Sequence, residues 1–400
     1  MDELWALDPD ILHLNHGSFG ACPRPVLQCQ SSWRERLERD PMSFFIREAE
    51  AALDAAREET AAFIGASPAG LAFVPNATTG VNTVLRSLTF EAGDEILVTD
   101  HEYNACRNAV DFVGARVVVC PIPFPISGPD EIITSLLDRV TSRTRLALID
   151  HITSPTALVM PVERLVAELR ERGVDTLIDG AHGPGMLPLE LDTLGAAYYT
   201  GNCHKWLCAP KGAGFLYVRA DRRDRIRPLA ISHGANSPRT DRSRFHLEFD
   251  WTGTIDLSPY LCIPEAIRVL GSQLPGGWPA LREHNHHLAV RGRRILCEAL
   301  SLTPPCPEEM LGSMAALILG RPEEGGVYDD PLEKRLYHDW RILIPVIRWP
   351  TPRLRLVRIS SQLYNRPDQY ETLAGVLRQE LTRDVPLSRT AESTDRPPAG

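Results

Sequence analysis

Five short apolar runs, each followed by a turn and then by a helical or second strand-like stretch, constrain this chain more than any other feature. They are Leu71-Ala72-Phe73-Val74, Glu95 to Thr99, Ala115 to Cys120, Leu146 to Asp150 and Thr176 to Asp179. Strands alternating with helices predict an α/β fold, a mostly parallel sheet covered by helices on both faces. Ligands of such sheets bind beyond the carboxyl ends of the strands. Thr78, His101, Tyr103, Ser154, Asp179, His182 and Lys205 all fall just after strand-like runs, which would gather them along one edge. No G-x-G-x-x-G follows a strand, so a dinucleotide site is unsupported.

The stretch TGNCHKWLCAPKGAGFLYV, Thr200 to Val218, carries the sharpest chemical signal. Basic residues are nearly all arginine, and only Lys205, Lys211 and Lys334 are lysine. Arginine keeps its proton in a protein, so an amine nucleophile must be one of those three. Lys205 stands between His204 and Trp206-Leu207 and after the strand-like Ala196-Ala197-Tyr198-Tyr199. Apolar walls penalise its charged form and free the amine to attack a carbonyl. The plainer alternative is a surface lysine whose stem covers Trp206.

Around it stand groups that fit one another. PNATTGVN at a strand-to-helix turn offers backbone N–H groups and a helix dipole to an anion; the alternative is that Thr78-Thr79 merely cap the helix. Asp179, in DGAHGPG at the end of a very apolar strand, must be paired; it could cap the turn or face a protonated ring nitrogen. Asn15-His16-Gly17-Ser18 is a candidate substrate loop, although alone it is only a turn. An anion cradle, an aromatic or imidazole platform, a carboxylate, a polar group for a phenolic oxygen and an amine for an aldehyde are what pyridoxal 5′-phosphate requires.

Composition narrows the class of protein. The formal charge of −9 argues against nucleic acid or an anionic membrane as partner. No apolar run approaches a membrane span, and the acidic start MDELWALDPD lacks the layout of a signal peptide. The 9 cysteines are scattered with no C-x-x-C, which fits reduced thiols and a cytoplasmic location. His284, His286 and His287 read as a helix face beside arginines, and no metal is expected. The predicted organisation is an N-terminal segment 1–20 packed with a small domain, a large cofactor-binding domain 21–260, a smaller α+β domain 261–384 and a disordered tail 385–400.

NHGSFG, NATTGVN, TDHEYNA, HITSPTALVMPV, DGAHGPG, GNCHKWLCAPKGAGF and RISSQLYN occur in an order that resembles the class V aminotransferase family, of type I pyridoxal-phosphate fold. Within it the chain is most similar to the branch of isopenicillin N epimerase and ergothioneine-pathway C–S lyases. The resemblance implies that Lys205 carries the cofactor as a Schiff base and that Asp179 pairs with the pyridine nitrogen. His182 or Ser154 would contact the phenolic oxygen, and Thr78, Thr79, Asn202 and His204 would hold the phosphate. His101 matches the ring-stacking position by spacing, with Tyr103 as the other candidate. Arg358 would grip the substrate carboxylate. Gly253-Thr254 resembles the loop that reaches the partner subunit's phosphate, implying a homodimer.

Two departures inform the chemistry. The nucleophilic cysteine of the family's desulfurases is missing: Cys306 is the last cysteine, and the interval before Arg358 offers Ile344-Pro345-Val346. Asn202 stands where many relatives have serine. The expected activity is removal of an amino acid's Cα proton by Lys205, followed by loss of a thiolate from Cβ, a C–S lyase. Epimerisation is the alternative and needs a second acid, Tyr103 or His101, across the ring. Transamination, decarboxylation and a silent binding protein are the remaining readings.

Overall fold

The computed structural model describes residues 2–321, 330–350 and 354–383. The expected tail, 385–400, lies outside the described residues. The strands are β1 (Leu12–His13), β2 (Leu71–Val74), β3 (Glu95–Thr99), β4 (Arg116–Cys120), β5 (Thr144–Asp150) and β6 (Asp175–Gly180). They continue with β7 (Tyr198–Asn202), β8 (Gly214–Val218), β9 (Met314–Gly320), β10 (Ile342–Leu343), β11 (Val346–Arg348) and β12 (Arg355–Ser360). The central sheet has 7 strands in the order β2-β8-β7-β6-β5-β3-β4. β8 runs antiparallel to both its neighbours, while β7, β6, β5, β3 and β4 pair in parallel.

The side chains explain why both faces are covered. In β3, Ile96 and Val98 join one apolar cluster and Leu97 the other. In β5, Leu146 and Leu148 divide likewise from Ala147 and Ile149. A strand alternates its side chains, so fully apolar runs bury both sides only when helices lie on each. Val81, Val84 and Leu85 of helix Ala77–Ser87 and Cys106, Ala109 and Val110 of helix Asn104–Phe112 close one face. Helices Pro129–Leu137 and Val162–Glu171 close the other.

Beyond this sheet, β11-β12-β9 form an antiparallel sheet on which helices Gly277–Leu300 and Pro367–Arg383 pack. The start of this part of the chain is two helices, Ile263–Gly271 and Gly277–Leu300. Gly276 and Gly277, at φ +95° and +67°, make the break that Pro275 prepares. Ile342–Leu343 and Val346–Arg348 have different partners. Leu12–His13 pairs in parallel with Ile342–Leu343, whereas Val346–Arg348 pairs with β12. The N-terminal segment is thereby tied to the C-terminal part of the chain and crosses back over the ends of the central strands.

Candidate active site

A cavity of about 230 Å³ opens at the carboxyl ends of β5, β6 and β7. Ser18, Phe19, Asn76, Thr78, Tyr103, Asp150, Ser154, Asp179, His182, Asn202, His204 and Lys205 are among its lining residues. Eight residues singled out from sequence therefore meet in one place, and Ser18 joins them from the N-terminal segment.

Lys205 follows the turn after β7. Its Nζ lies 3.2 Å from His182 Nε2. Burial and the nearby Arg358 guanidinium bring the amine down to about 8, against the opposing pull of Asp179, Asp150 and Cys106. Asp179 is 3% exposed at the end of β6. One of its oxygens accepts the Ala181 N–H at 2.9 Å and the other the Cys106 thiol at 3.0 Å. Burial pushes this carboxyl upward, while Cys106, Ala181 and Lys205 hold it down. Asp150 and Glu102 lie close by. One oxygen of Asp150 and both of Glu102 are buried without a hydrogen-bond partner. Burial and the neighbouring carboxyls push Glu102 well above the usual range, which favours its neutral form.

At the other end of the cavity, helix Ala77–Ser87 begins at the end of β2. Asn202 Oδ1 accepts the Ala77 N–H at 2.8 Å, so its amide nitrogen remains as a donor. Asn76 Oδ1 accepts both the N–H and the hydroxyl of Thr79, at 2.9 and 3.1 Å. Thr79 lines a separate cavity with Pro228 and Ile255, so its hydroxyl serves the cap and does not open onto the main cavity. Thr78 does line it. His204 donates from Nδ1 to the Ala213 carbonyl at 3.3 Å, and burial with Lys205 lowers it to about 4.

Arg358 is 2% exposed on β12. One terminal nitrogen donates to the Ser154 carbonyl at 2.6 Å and hydroxyl at 3.3 Å. The other donates to Ser18 Oγ at 3.1 Å and Asn15 Oδ1 at 3.3 Å. Its Nε has no partner. Among the described residues no carboxylate pairs with it, and burial lowers it to about 10. Ser154 is therefore engaged with Arg358, which leaves His182 as the residue beside Lys205.

Three further sequence candidates lie elsewhere. His101 is fully buried outside the cavity: its nitrogens meet Thr156 Oγ1 at 2.7 Å and the Ile122 carbonyl at 3.1 Å, and Trp349 packs on its ring. Tyr103, two residues on, lines the cavity instead. His16 does not reach the cavity either. Its Nε2–H donates to the backbone carbonyl of Lys205 at 3.1 Å, and its Nδ1 accepts from the Tyr364 hydroxyl at 2.9 Å. It steadies the turn that carries Lys205. Thr254 is exposed, away from the cavity. Sequence reasoning passed over Asp150, Glu102, Cys106 and Trp206; Asp150 had a visible signal, since it ends an apolar strand as Asp179 does.

These residues fit pyridoxal 5′-phosphate. The cavity joins an amine lowered well below its usual value, a buried carboxyl and a helix start flanked by amide and hydroxyl donors. The buried guanidinium next to it has, among the described residues, an unused N–H and no acid partner.

Comparisons with known proteins agree. The sequence model of the family described as aminotransferase class-V matches residues 31–289. The isopenicillin N epimerase of Amycolatopsis lactamdurans is 36% identical, over 94% of this chain and 96% of that protein. The one from Streptomyces clavuligerus is 34% identical, over 93% and 95%. An L-cysteine desulfhydrase of Arabidopsis thaliana is 30% identical, over 94% and 88%. Among solved structures, the cystine C–S lyase C-DES in complex with cysteine persulfide superposes with a TM-score of 0.77 at 22% identity, covering 92% of this chain and 97% of that one, which shows the shared fold. The chain belongs to the class-V aminotransferase family and is an enzyme dependent on pyridoxal 5′-phosphate.

Proposed function

We propose that this enzyme is a C–S lyase that eliminates a thiol from the β-carbon of a cysteine S-conjugate. Bound pyridoxal 5′-phosphate supplies the electron sink for a carbanion at Cα. Lys205 would hold the cofactor, and its amine, brought down to about 8, is the base available for the substrate's Cα proton. Arg358 receives the substrate carboxylate as a two-pronged partner, its guanidinium held in place by Ser154, Ser18 and Asn15. Of the residues lining the cavity, Asp179 would pair with the ring nitrogen, His182 would serve the phenolic oxygen and Tyr103 the ring face. Thr78, Asn202 and His204 would hold the phosphate. Loss of the thiolate from Cβ and hydrolysis yield the thiol, pyruvate and ammonia.

The observation that carries elimination is the supply of proton-transfer groups. Lys205 is the base, and His101, one of the two groups expected to provide a second acid, is sealed behind Thr156 and Ile122. Elimination needs only the one base. Tyr103 at the cavity supports a second reading, an epimerase in which its phenol reprotonates Cα from the opposite face.

Incubation with cysteine S-conjugates and with single enantiomers of amino acids in deuterated water separates the two. Pyruvate formation is expected. Deuterium at Cα with loss of optical purity and no pyruvate would overturn elimination in favour of epimerisation. Lys205→Ala is expected to abolish the visible band at about 420 nm and the turnover together; a folded variant that keeps both sinks the assignment of Lys205.

We further propose a homodimer in which Thr254 reaches the partner's phosphate site, supported by exposed Ile46, Leu229 and Ile255 around neighbouring cavities. Among the described residues no helix is long and apolar enough to cross a membrane. All nine cysteines are unpaired, which supports a reducing compartment such as the cytoplasm.

A further inference from the structure

We infer that Trp206 favours the uncharged form of the Lys205 amine by fixing which nitrogen of His182 carries the hydrogen. The inference rests on the reading of Lys205 as the cofactor's amine. Trp206 Nε1 lies 3.2 Å from His182 Nδ1. An indole N–H can only donate, so Nδ1 is the acceptor and carries no hydrogen. A neutral imidazole then bears its one hydrogen on Nε2. That nitrogen lies 3.2 Å from Lys205 Nζ. An ammonium group has no lone pair to accept with, so the Nε2–H bond can be made only to the free amine. Trp206, His182 and Lys205 form a one-way chain of donors ending on a nucleophile.

The first donor cannot readily turn away. Trp206 is 1% exposed and packs among Ile152, Ala157, Met186, Met314 and Ala316. Its ring also lies 4.8 Å from that of His16, which holds the Lys205 carbonyl. The remaining charged neighbours come from several elements. Arg358 on β12 opposes an ammonium, while Asp179 on β6, Asp150 on β5 and Cys106 on helix Asn104–Phe112 favour one. Desolvation and Arg358 prevail. An imidazolium at His182 is no escape, because burial, Lys205 and Arg358 all hold its protonation down. Trp206 acts through His182 and is a positioning residue.

The chain's scarcity of lysine makes the test clean. The full-length enzyme is stripped of cofactor with hydroxylamine and its amines are acylated across a range of pH. Peptides bearing Lys205, Lys211 and Lys334 are then quantified by mass spectrometry. In Trp206→Phe the His182 ring is released to place its hydrogen on Nδ1 and accept from an ammonium. The Lys205 midpoint should rise by about one pH unit, a tenfold loss of free amine at fixed pH, while Lys211 stays put. A folded variant with an unmoved Lys205 midpoint overturns the inference. In wild type, long-range nitrogen–hydrogen correlations of labelled histidine, with His182 assigned through His182→Gln, should place its hydrogen on Nε2 across about pH 6 to 9. A hydrogen on Nδ1 overturns the inference without any variant at position 206. Failure of stripped wild type to recover its visible band with pyridoxal 5′-phosphate would instead sink the reading of Lys205 itself.

Discussion

The guanidinium of Arg358 is a buried cation that donates, among the described residues, to neutral oxygens of Ser154, Ser18 and Asn15. A charge left in that state is costly, and a bound carboxylate would relieve the cost. Arg358→Lys keeps a cation but loses the planar fork, so the KM for amino acids should rise about 100-fold, the worth of a lost charged hydrogen-bond pair. Steady-state kinetics check this: kcat should change far less than KM, and an unaltered KM removes Arg358 from carboxylate binding. Lys205 stood out in the sequence because the chain offers only three lysines, and Asp179 because it ends a very apolar strand, whereas Arg358, one of many arginines, was singled out by the family resemblance alone. His101, His16 and Thr79 were misplaced for a different reason. One or two residues of offset at a strand end decide whether a side chain faces the cavity or the layer behind it, and spacing alone does not resolve that. His101 and Tyr103 are two apart, yet one is sealed against Trp349 and the other lines the cavity.

At the scale of elements, β2 and β3 follow from their runs residue for residue, because a short apolar run between turn signals has few other ways to be buried. β7 was expected at Ala196 to Tyr199 but runs from Tyr198 to Asn202. Its Thr-Gly-Asn end lacks apolar character, and it stays in the sheet because Thr200, Gly201 and Asn202 pair with Leu216, Phe215 and Gly214 of β8. The reversal of β8 and the strand order depend on such distant partners, which no local pattern carries. Asp330 is another such case. Its side chain is 0% exposed, accepts the Leu332 N–H at the start of helix Pro331–His338, and meets Arg348 Nε at 3.2 Å on β11 and Arg355 Nε at 3.1 Å on β12. Asp330→Ala removes the cap and leaves two buried guanidinium groups without their shared carboxylate. We expect it to cost about 3 to 5 kcal/mol in urea unfolding. A loss below about 1 kcal/mol, the worth of a cap alone, would deny the ion cluster its structural role.

The whole molecule raises the question of what covers the side of the large sheet domain that carries Ile46, Leu229 and Ile255, exposed by 73%, 45% and 41%. Two adjoining cavities there share Leu53, Asp250 and Leu257, and one of them is lined by Thr79, next to the helix start proposed for the phosphate. Apolar side chains grouped around concave surface favour a protein partner, and a second copy of the same chain satisfies the patch by two-fold symmetry. Thr254 stands on this side, beside Ile255, with Gly253 at φ +126° giving the loop its reach. If the loop completes the partner's phosphate site, assembly and cofactor retention must be linked. Ile46→Glu, which places a charge where each copy would bury an apolar side chain worth about 1.5 to 3 kcal/mol, should shift the protein toward monomer and weaken cofactor binding together. Thr254→Ala should leave the dimer intact and raise the cofactor's Kd about tenfold, the loss of one hydrogen bond to a charged group. Light scattering and equilibrium dialysis read the two effects separately. A monomeric Ile46→Glu protein that holds its cofactor as tightly as wild type would show each protomer's phosphate site to be complete on its own, and Thr254 would then lose its place in the chemistry.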